Sequence, residues 1–352
     1  MIQPSRDSGA AAAAISRSPR SAILRVSASL GGLALVLIAA AIFTPLFYSY
    51  ANLVLVAQSV GVIGIVTIGQ TFPLLVGGID LSVGAVSGLT MVVIAVVSGG
   101  SNDHLLVAIL IALALGIGVG LANAVLVTRR NTPPFVATFA TFILVEGALL
   151  AWTQGTPSGE IPGALSPWGA GTLVGIPVPL FVFLALLAVC AVGLGRTTYG
   201  RRVYATGSNP IAARMTGIPV RVVITSTYVI CAMCAVIVGI LNSGYIGYVD
   251  NQLVNTINLN CIAAALIGGT TFIGGEGGVV QSALGVLVLA ALLSFMLLLN
   301  TGIAGQLILE GGIILAAVWL QSSRQLGFDS LRRMRQCLVS ARRPLSGGTP
   351  RP

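Results

Sequence analysis

The 352 residues are 56% hydrophobic and 8% charged, with a mean hydropathy of +0.99. A soluble core of that size needs a polar shell that this chain lacks, and its continuous Leu-, Ala-, Val- and Gly-rich runs lack the alternation of a membrane barrel. The chain therefore reads as an all-α integral membrane protein. Its formal charge of +9 comes from arginine alone, since no lysine occurs; basic loops against anionic lipid account for the excess, and no nucleic acid is expected as a partner.

A helix needs roughly 20 apolar residues to span a bilayer, and the length leaves room for about ten such spans. In chain order the candidates lie near 27–44, 53–76, 82–98, 105–127, 133–152, 178–195, 222–242, 257–270, 279–299 and 303–321. The third and eighth are the least regular. Gly and Pro around Pro73 and Gly77, and again from Gly268 to Gly278, point to broken or re-entrant helices. The expected organisation is a cytoplasmic N-terminal arm (1–26), a transmembrane domain (27–321) with a cytoplasmic loop at 196–221, and a cytoplasmic tail (322–352).

Arginine positions support that count, because basic residues are retained on the cytoplasmic side of short loops. Arg6, Arg17, Arg20 and Arg25 precede the first span, and Arg129 and Arg130 follow the fourth. Arg196, Arg201, Arg202, Arg214 and Arg221 lie between the sixth and seventh, and the remaining seven follow the tenth. With both termini inside and ten crossings, every arginine falls on one face. The opposite loops carry only Asp103, Glu160 and Asp250 as charges.

Enzymatic readings fail on inventory. Without lysine there is no Walker A loop, so nucleotide hydrolysis must happen on a partner. His104 is the only histidine, which excludes a two-histidine zinc site; beside Asp103 in an outer loop it is expected to be solvated. Cys231-Ala232-Met233-Cys234 has redox spacing but lies inside an apolar span, where small packing residues are the better account. Gly116-x-x-x-Gly120 lies within the fourth span and lets another helix approach closely. No metal site and no cofactor bound by this chain are expected.

What remains is the pattern of a transporter core. Residues 77–84 read Gly77-Gly78-Ile79-Asp80-Leu81-Ser82-Val83-Gly84, and a carboxylate at membrane depth must face protein or an aqueous path. A second break carries Gly268, Gly269, Gly274 and Gly275 in the second half of the chain. Paired interruptions of this kind point to an internal two-fold repeat around a central pathway, although tight packing at Gly-rich crossings would use the same residues. Asp80, Ser82, Asn123, Glu146, Asn242 and Asn300 are the candidates for contact with a polar solute. Asp80 has a second reading, as a cap bonded to the amides that begin the third span. In the long inner loop, Ser208 or Asn209 can cap a short helix with Pro210 in its first turn, and Gly217 can end it.

These residues resemble the inner-membrane permease subunits of bacterial ATP-binding cassette importers for ribose and related monosaccharides, from about residue 52 to 320. The resemblance is carried by Ile68-Gly69-Gln70-Thr71 with the Gly77–Gly84 segment, by Pro134-Phe135-Val136-Ala137-Thr138 and by Gly155-Thr156-Pro157. It continues through the Gly200–Ile218 loop and Ile262-Ala263-Ala264-Ala265-Leu266-Ile267-Gly268-Gly269-Thr270. It implies a permease that pairs with a second copy or paralogue in the bacterial inner membrane and is served by a periplasmic sugar-binding protein. A cytoplasmic ATPase carrying ATP and Mg would supply the energy. It also implies that Gly200, Arg201, Arg202, Gly207, Ser208, Asn209, Pro210, Arg214 and Gly217 form the loop that couples to that ATPase, so a bulky residue at Gly207 or Gly217 is expected to uncouple transport. Asn258-Leu259-Asn260-Cys261, Glu276 and Glu310 depart from the family pattern. An importer of amino acids or nucleosides, or a proton-coupled carrier using Asp80, Glu146, Glu276 and Glu310, are the alternatives.

Overall fold

A computed structural model describes residues 19–130, 132–154, 159–249, 253–316 and 319. Each of the ten apolar stretches contains a helix. In chain order these are α1 (Pro19–Phe43), α2 (Tyr50–Leu75), α3 (Val83–Ser98), α4 (Leu105–Arg129), α5 (Pro134–Thr153) and, after a four-residue turn of helix α6 (Ser166–Gly169), α7 (Val178–Arg196). Two short polar helices follow, α8 (Thr198–Ser208) and α9 (Pro210–Met215). The chain then forms α10 (Val220–Ile246), α11 (Leu253–Ile267), α12 (Val279–Leu298) and α13 (Gly302–Ala316). Six of the helices, α2, α4, α5, α7, α10 and α12, are long and apolar enough to cross a membrane.

The core forms around α2 and α10. From Gly64 to Leu75 every residue of α2 is buried, as expected of a helix that is apolar all round. It packs against α7, α10, α11 and α12, while α10 packs against α2, α3 and α4. Small residues set these distances. A methyl on Gly116 would overlap Val236, one on Gly120 would come within 3.1 Å of the Ala232 side chain, and one on Gly69 would come within 2.7 Å of Cys234. The glycine pair of α4 is therefore a helix crossing. Cys231, Cys234 and Cys261 are buried free thiols of the core, and His104 is exposed in a single 3-10 turn. Among the described residues no cluster of His, Cys, Asp and Glu could hold a metal.

The two irregular spans are short. At 1.5 Å per residue α3 and α11 are only about 22–24 Å long, against roughly 30 Å of hydrocarbon. Each is joined to its neighbour by non-helical backbone, at residues 76–82 and 268–278. Pro73 does not break α2, which continues to Leu75.

Candidate functional site

Both breaks begin the same way. At the end of α2, Gly77 N–H donates to Leu74 O (3.0 Å) and Gly78 N–H to Pro73 O (2.8 Å), with Gly77 at φ +76°. At the end of α11, Gly269 N–H donates to Leu266 O (2.9 Å) and Thr270 N–H to Ala265 O (3.0 Å), with Gly269 at φ +88°. This is the Schellman ending, which needs a left-handed residue that glycine supplies without strain. Beyond it the likeness stops, since the second break is longer and carries three further left-handed glycines, Gly274, Gly275 and Gly277. Gly268 serves a different purpose, lying against the Gln281 backbone of α12, where a side chain would not fit.

After Gly78 the chain turns back along α2 and Asp80 becomes enclosed in protein. Asp80 and Ser82 are each 1% exposed, and Asn123 and Gln70 are fully buried. Asp80 Oδ1 accepts from the Ser82 N–H (2.9 Å), the Ser82 hydroxyl (2.6 Å) and Asn123 Nδ2 (3.4 Å), and the same Asn123 amide donates to Ser82 Oγ at 2.8 Å. Gln70, its amide turned to suit both groups, accepts the Asp80 N–H (3.2 Å) and donates to the Asp80 carbonyl (3.0 Å). Thr138 of α5 donates to Ile79 O, and Asn258 of α11 accepts the Gly84 N–H at 2.7 Å. Side chains of α2, α4 and α5 thus hold a segment that has no ladder of its own, as buried backbone requires, and α11 holds the first turn of α3 that follows it. The bond from the Ser82 amide closes an Asx turn just ahead of α3, whose N-cap position is Ser82 and carries no side-chain cap bond, so Asp80 precedes the cap instead of forming it. Asp80 Oδ2, Asn123 Oδ1 and the Tyr228 hydroxyl have no hydrogen-bond partner among the described residues.

Of the six candidates for a solute path, only Asp80, Ser82 and Asn123 come together. Asn242 is buried on α10, eleven residues beyond Cys231, whose sulfur lies 3.5 Å from the Gln70 amide. That spacing is about 16 Å along the helix. Glu146 is half-buried on α5, and Asn300 is exposed in a left-handed turn (φ +58°) after α12. Sequence reasoning did not select Gln70, Thr138 or Asn258, although each is a polar residue in an apolar run. A hydroxyl cluster also joins the second break to α2: Thr71 donates to Ser282 Oγ at 2.8 Å, and Thr270 Oγ1 lies 2.9 Å from the same oxygen. Of the residues that depart from the family pattern, Glu276 is exposed in the second break and Glu310 is 2% exposed on α13.

The loop between α7 and α10 holds two helices. Thr197 caps α8 through the Gly200 N–H, and Asn209 caps α9 by accepting from Ile211 N–H and Ala212 N–H, both at 3.0 Å, with Pro210 at the first position. Asn209 therefore makes the cap, while the Ser208 hydroxyl donates back to Tyr204 O. Gly217, at φ +80°, ends α9 with a third Schellman pair, Gly217 N–H to Arg214 O and Ile218 N–H to Ala213 O. The surface of α9 is exposed at Ile211 (70%), Met215 (87%) and Arg214. Arg201 and Arg202 are exposed on the preceding helix. Of the loop residues expected to couple, Gly200 and Gly207 face inward, as do Val203, Thr206 and Ala213 beside them. A methyl on Gly200 would overlap Leu194 O, and one on Gly207 would overlap Leu75 O and come within 2.6 Å of Gly275 N. Gly217 has open space around it, so Gly207 and Gly217, grouped together in the coupling loop, have different surroundings. Gly155-Thr156-Pro157, most of the N-terminal arm and the C-terminal tail lie outside the described residues.

The profile of a family described as the permease component of the branched-chain amino acid transport system matches residues 52–319. The ribose import permease of Bacillus subtilis is 34% identical over 295 residues, covering 83% of this chain and 91% of that protein. The ribose import permease of Escherichia coli K12 is 32% identical over 286 residues, 80% of this chain and 89% of that protein. An autoinducer 2 import system permease of Salmonella paratyphi B is 31% identical over 254 residues, 72% of this chain and 73% of that protein. No solved structure gives a significant match. With the family profile spanning α2 to α13 and about a third of the aligned residues identical to import permeases along most of their length, the chain belongs to this family of multi-pass membrane permease components.

Proposed function

We propose that the chain is the membrane-spanning permease of an ATP-driven importer for a monosaccharide of the ribose class. The observation that carries the coupling half of this reading is α9, a short helix capped at both ends that presents Ile211, Met215 and Arg214 to solvent on the arginine-bearing face. An ordered helix with an apolar tip and a basic rim fits the groove of a cytoplasmic partner. Arg201, Arg202 and Arg214 would pair with acids at the rim of that partner, an ATPase that holds ATP and Mg. The arginine distribution supports ten crossings with both termini inside, and a periplasmic binding protein and a second permease would complete the assembly. Closure of the ATPases moves the permease only through contacts that differ between two states, and α8 and α9 are the elements positioned to make them.

The choice of a ribose-class sugar rests on the ribose import permeases among the relatives. The family description, which names branched-chain amino acids, favours a second reading with the same machinery and a different solute. Asp80, Ser82 and Asn123 act in either case as the clamp that sets the start of α3, with Glu146 and Asn242 the polar groups that would meet a solute. Purification from the native membrane with crosslinking tests the assembly, and an ATPase is the expected companion. Uptake of labelled ribose into proteoliposomes should require ATP, persist with an uncoupler, and resist competition by leucine. Uptake that needs no ATP and collapses with the uncoupler would overturn the reading, and competition by leucine would move the solute to the second.

A further inference from the structure

The last carbonyls of a helix have no partner within it, and at the end of α2 their partners are spread across the molecule. Pro73 O and Leu74 O are met by Gly78 and Gly77, but Leu75 O accepts from Gly275 N–H at 2.8 Å, out of the second break. The C-terminal turn of α8 lies on that joint. Gly207 touches Leu75 O and Gly275 N with bare backbone. A methyl on Gly274 would come within 2.7 Å of Gly77 N and 3.0 Å of Gly207 O, and one on Gly275 within 3.0 Å of the Ser208 backbone. One turn earlier on α8, the Tyr204 hydroxyl donates to Gly277 O at 3.0 Å. Three segments remote in sequence therefore meet largely through main chain, with the Tyr204 and Ser208 hydroxyls beside it, and Asp80 stands two residues beyond Gly78.

We infer that this glycine joint transmits displacement of α8 and α9 into the Asp80 segment, with Gly207 as the positioning residue. The inference rests on the importer reading above. Side chains can yield by changing rotamer, whereas backbone packed on backbone passes a shift on with little loss. Residues 76–82 have no regular structure to resist such a shift internally, being held by side chains of α2, α4 and α5. A push on α8 thus reaches the Asp80 clamp and the start of α3 directly. It reaches the second break through the same contact, so the two interruptions would move as a pair. Static packing of an inert loop would produce no such joint response.

The test uses the full chain with its co-purified ATPase in lipid nanodiscs, with hydrogen exchange compared without nucleotide and with ATP plus vanadate. Windows 204–217, 76–84 and 271–278 are expected to change together. In Gly207→Ala the 204–217 response should persist while the 76–84 response is lost. Solute imported per ATP should fall about fivefold or more, within the range by which single substitutions alter coupling. If that variant fails to insert, Tyr204→Phe, which adds no atom and removes the hydroxyl's tie to Gly277, should weaken the 271–278 response while leaving the 76–84 response in place. A wild-type complex in which 204–217 responds and 76–84 does not would overturn the inference. So would variants whose exchange and transport ratio match wild type, or whose uptake and ATP hydrolysis fall in parallel. Failure to recover any ATPase overturns the importer reading itself, a result readily told apart from these.

Discussion

Replacing Asp80 by alanine removes the acceptor on which three donors converge. The Ser82 amide, at 2.9 Å and buried, is left without a partner, the Ser82 hydroxyl loses a 2.6 Å bond, and the longer contact from Asn123 disappears. Two well-formed bonds at about 1 kcal/mol each, plus the desolvation of one stranded amide, give a destabilisation of about 3 kcal/mol. Asp80→Asn keeps an acceptor oxygen of the same reach and should cost about 1 kcal/mol. Ser82→Ala removes the hydroxyl that bridges Asp80 and Asn123, and the double mutant should show a coupling of about 1–2 kcal/mol with Asp80→Ala, as for other neighbours in one network. Equilibrium unfolding of the purified protein in a titration of denaturing into mild detergent measures all three variants and the cycle. An Asp80→Ala protein as stable as wild type, or additivity of the two alanine substitutions, would refute the claim that this cluster holds the α2–α3 junction.

Asn258→Ala withdraws the acceptor for the Gly84 amide. Loss of this cap should lower stability by about 1 kcal/mol in the same titration; an unchanged midpoint would show that the cap is dispensable. Gly116→Leu forces a side chain against Val236. Overpacking there should cost about 2 kcal/mol, read as an earlier loss of monodisperse protein on heating. Gly217→Val meets no neighbour but places a branched residue at φ +80°. The left-handed backbone carries a penalty of roughly 1–2 kcal/mol for such a residue, confined here to the end of α9. Capture of the ATPase should weaken while the melting of the membrane core stays fixed, and the converse result would remove α9 from the docking surface. In a Cys337→Ser background, buried Cys231, Cys234 and Cys261 should resist maleimide until the protein is denatured, whereas half-buried Cys190 should react slowly; rapid labelling of Cys231 would mean that water reaches the α2–α10 interface.

Features encoded within one turn of chain were legible in the amino-acid order itself. Asn209-Pro210 and Gly217 set the ends of α9 by cap chemistry that depends only on neighbouring residues, and Gly116 and Gly120 announced a close crossing through their spacing. The helices matched the apolar runs for the same reason. What could not be read were contacts between distant segments. Asn258 looked like a mere departure from a family pattern, because nothing in the sequence around it mentions the Gly84 amide that it caps. Gly207 read as part of a partner-facing loop because a glycine in a polar stretch looks the same whether it faces solvent or another backbone. Glu146, Asn242 and Asn300 were chosen as polar residues in apolar surroundings, a criterion that finds unusual residues without saying whether they meet.

The bond from Gly275 to Leu75 also orders events during synthesis. The carbonyl at the end of α2 is made early, whereas its donor, and the α8 turn that covers both, belong to the later parts of the chain. Until those parts leave the ribosome, Leu75 must borrow a partner from water or headgroups, so the first break stays hydrated while the helices around it insert. Drying of that junction is a late step, completed only when the last third of the protein has arrived. A truncated chain ending before the second break would accordingly keep its helices and expose the Gly77–Gly78 turn, giving a protease a cut site that the finished protein hides.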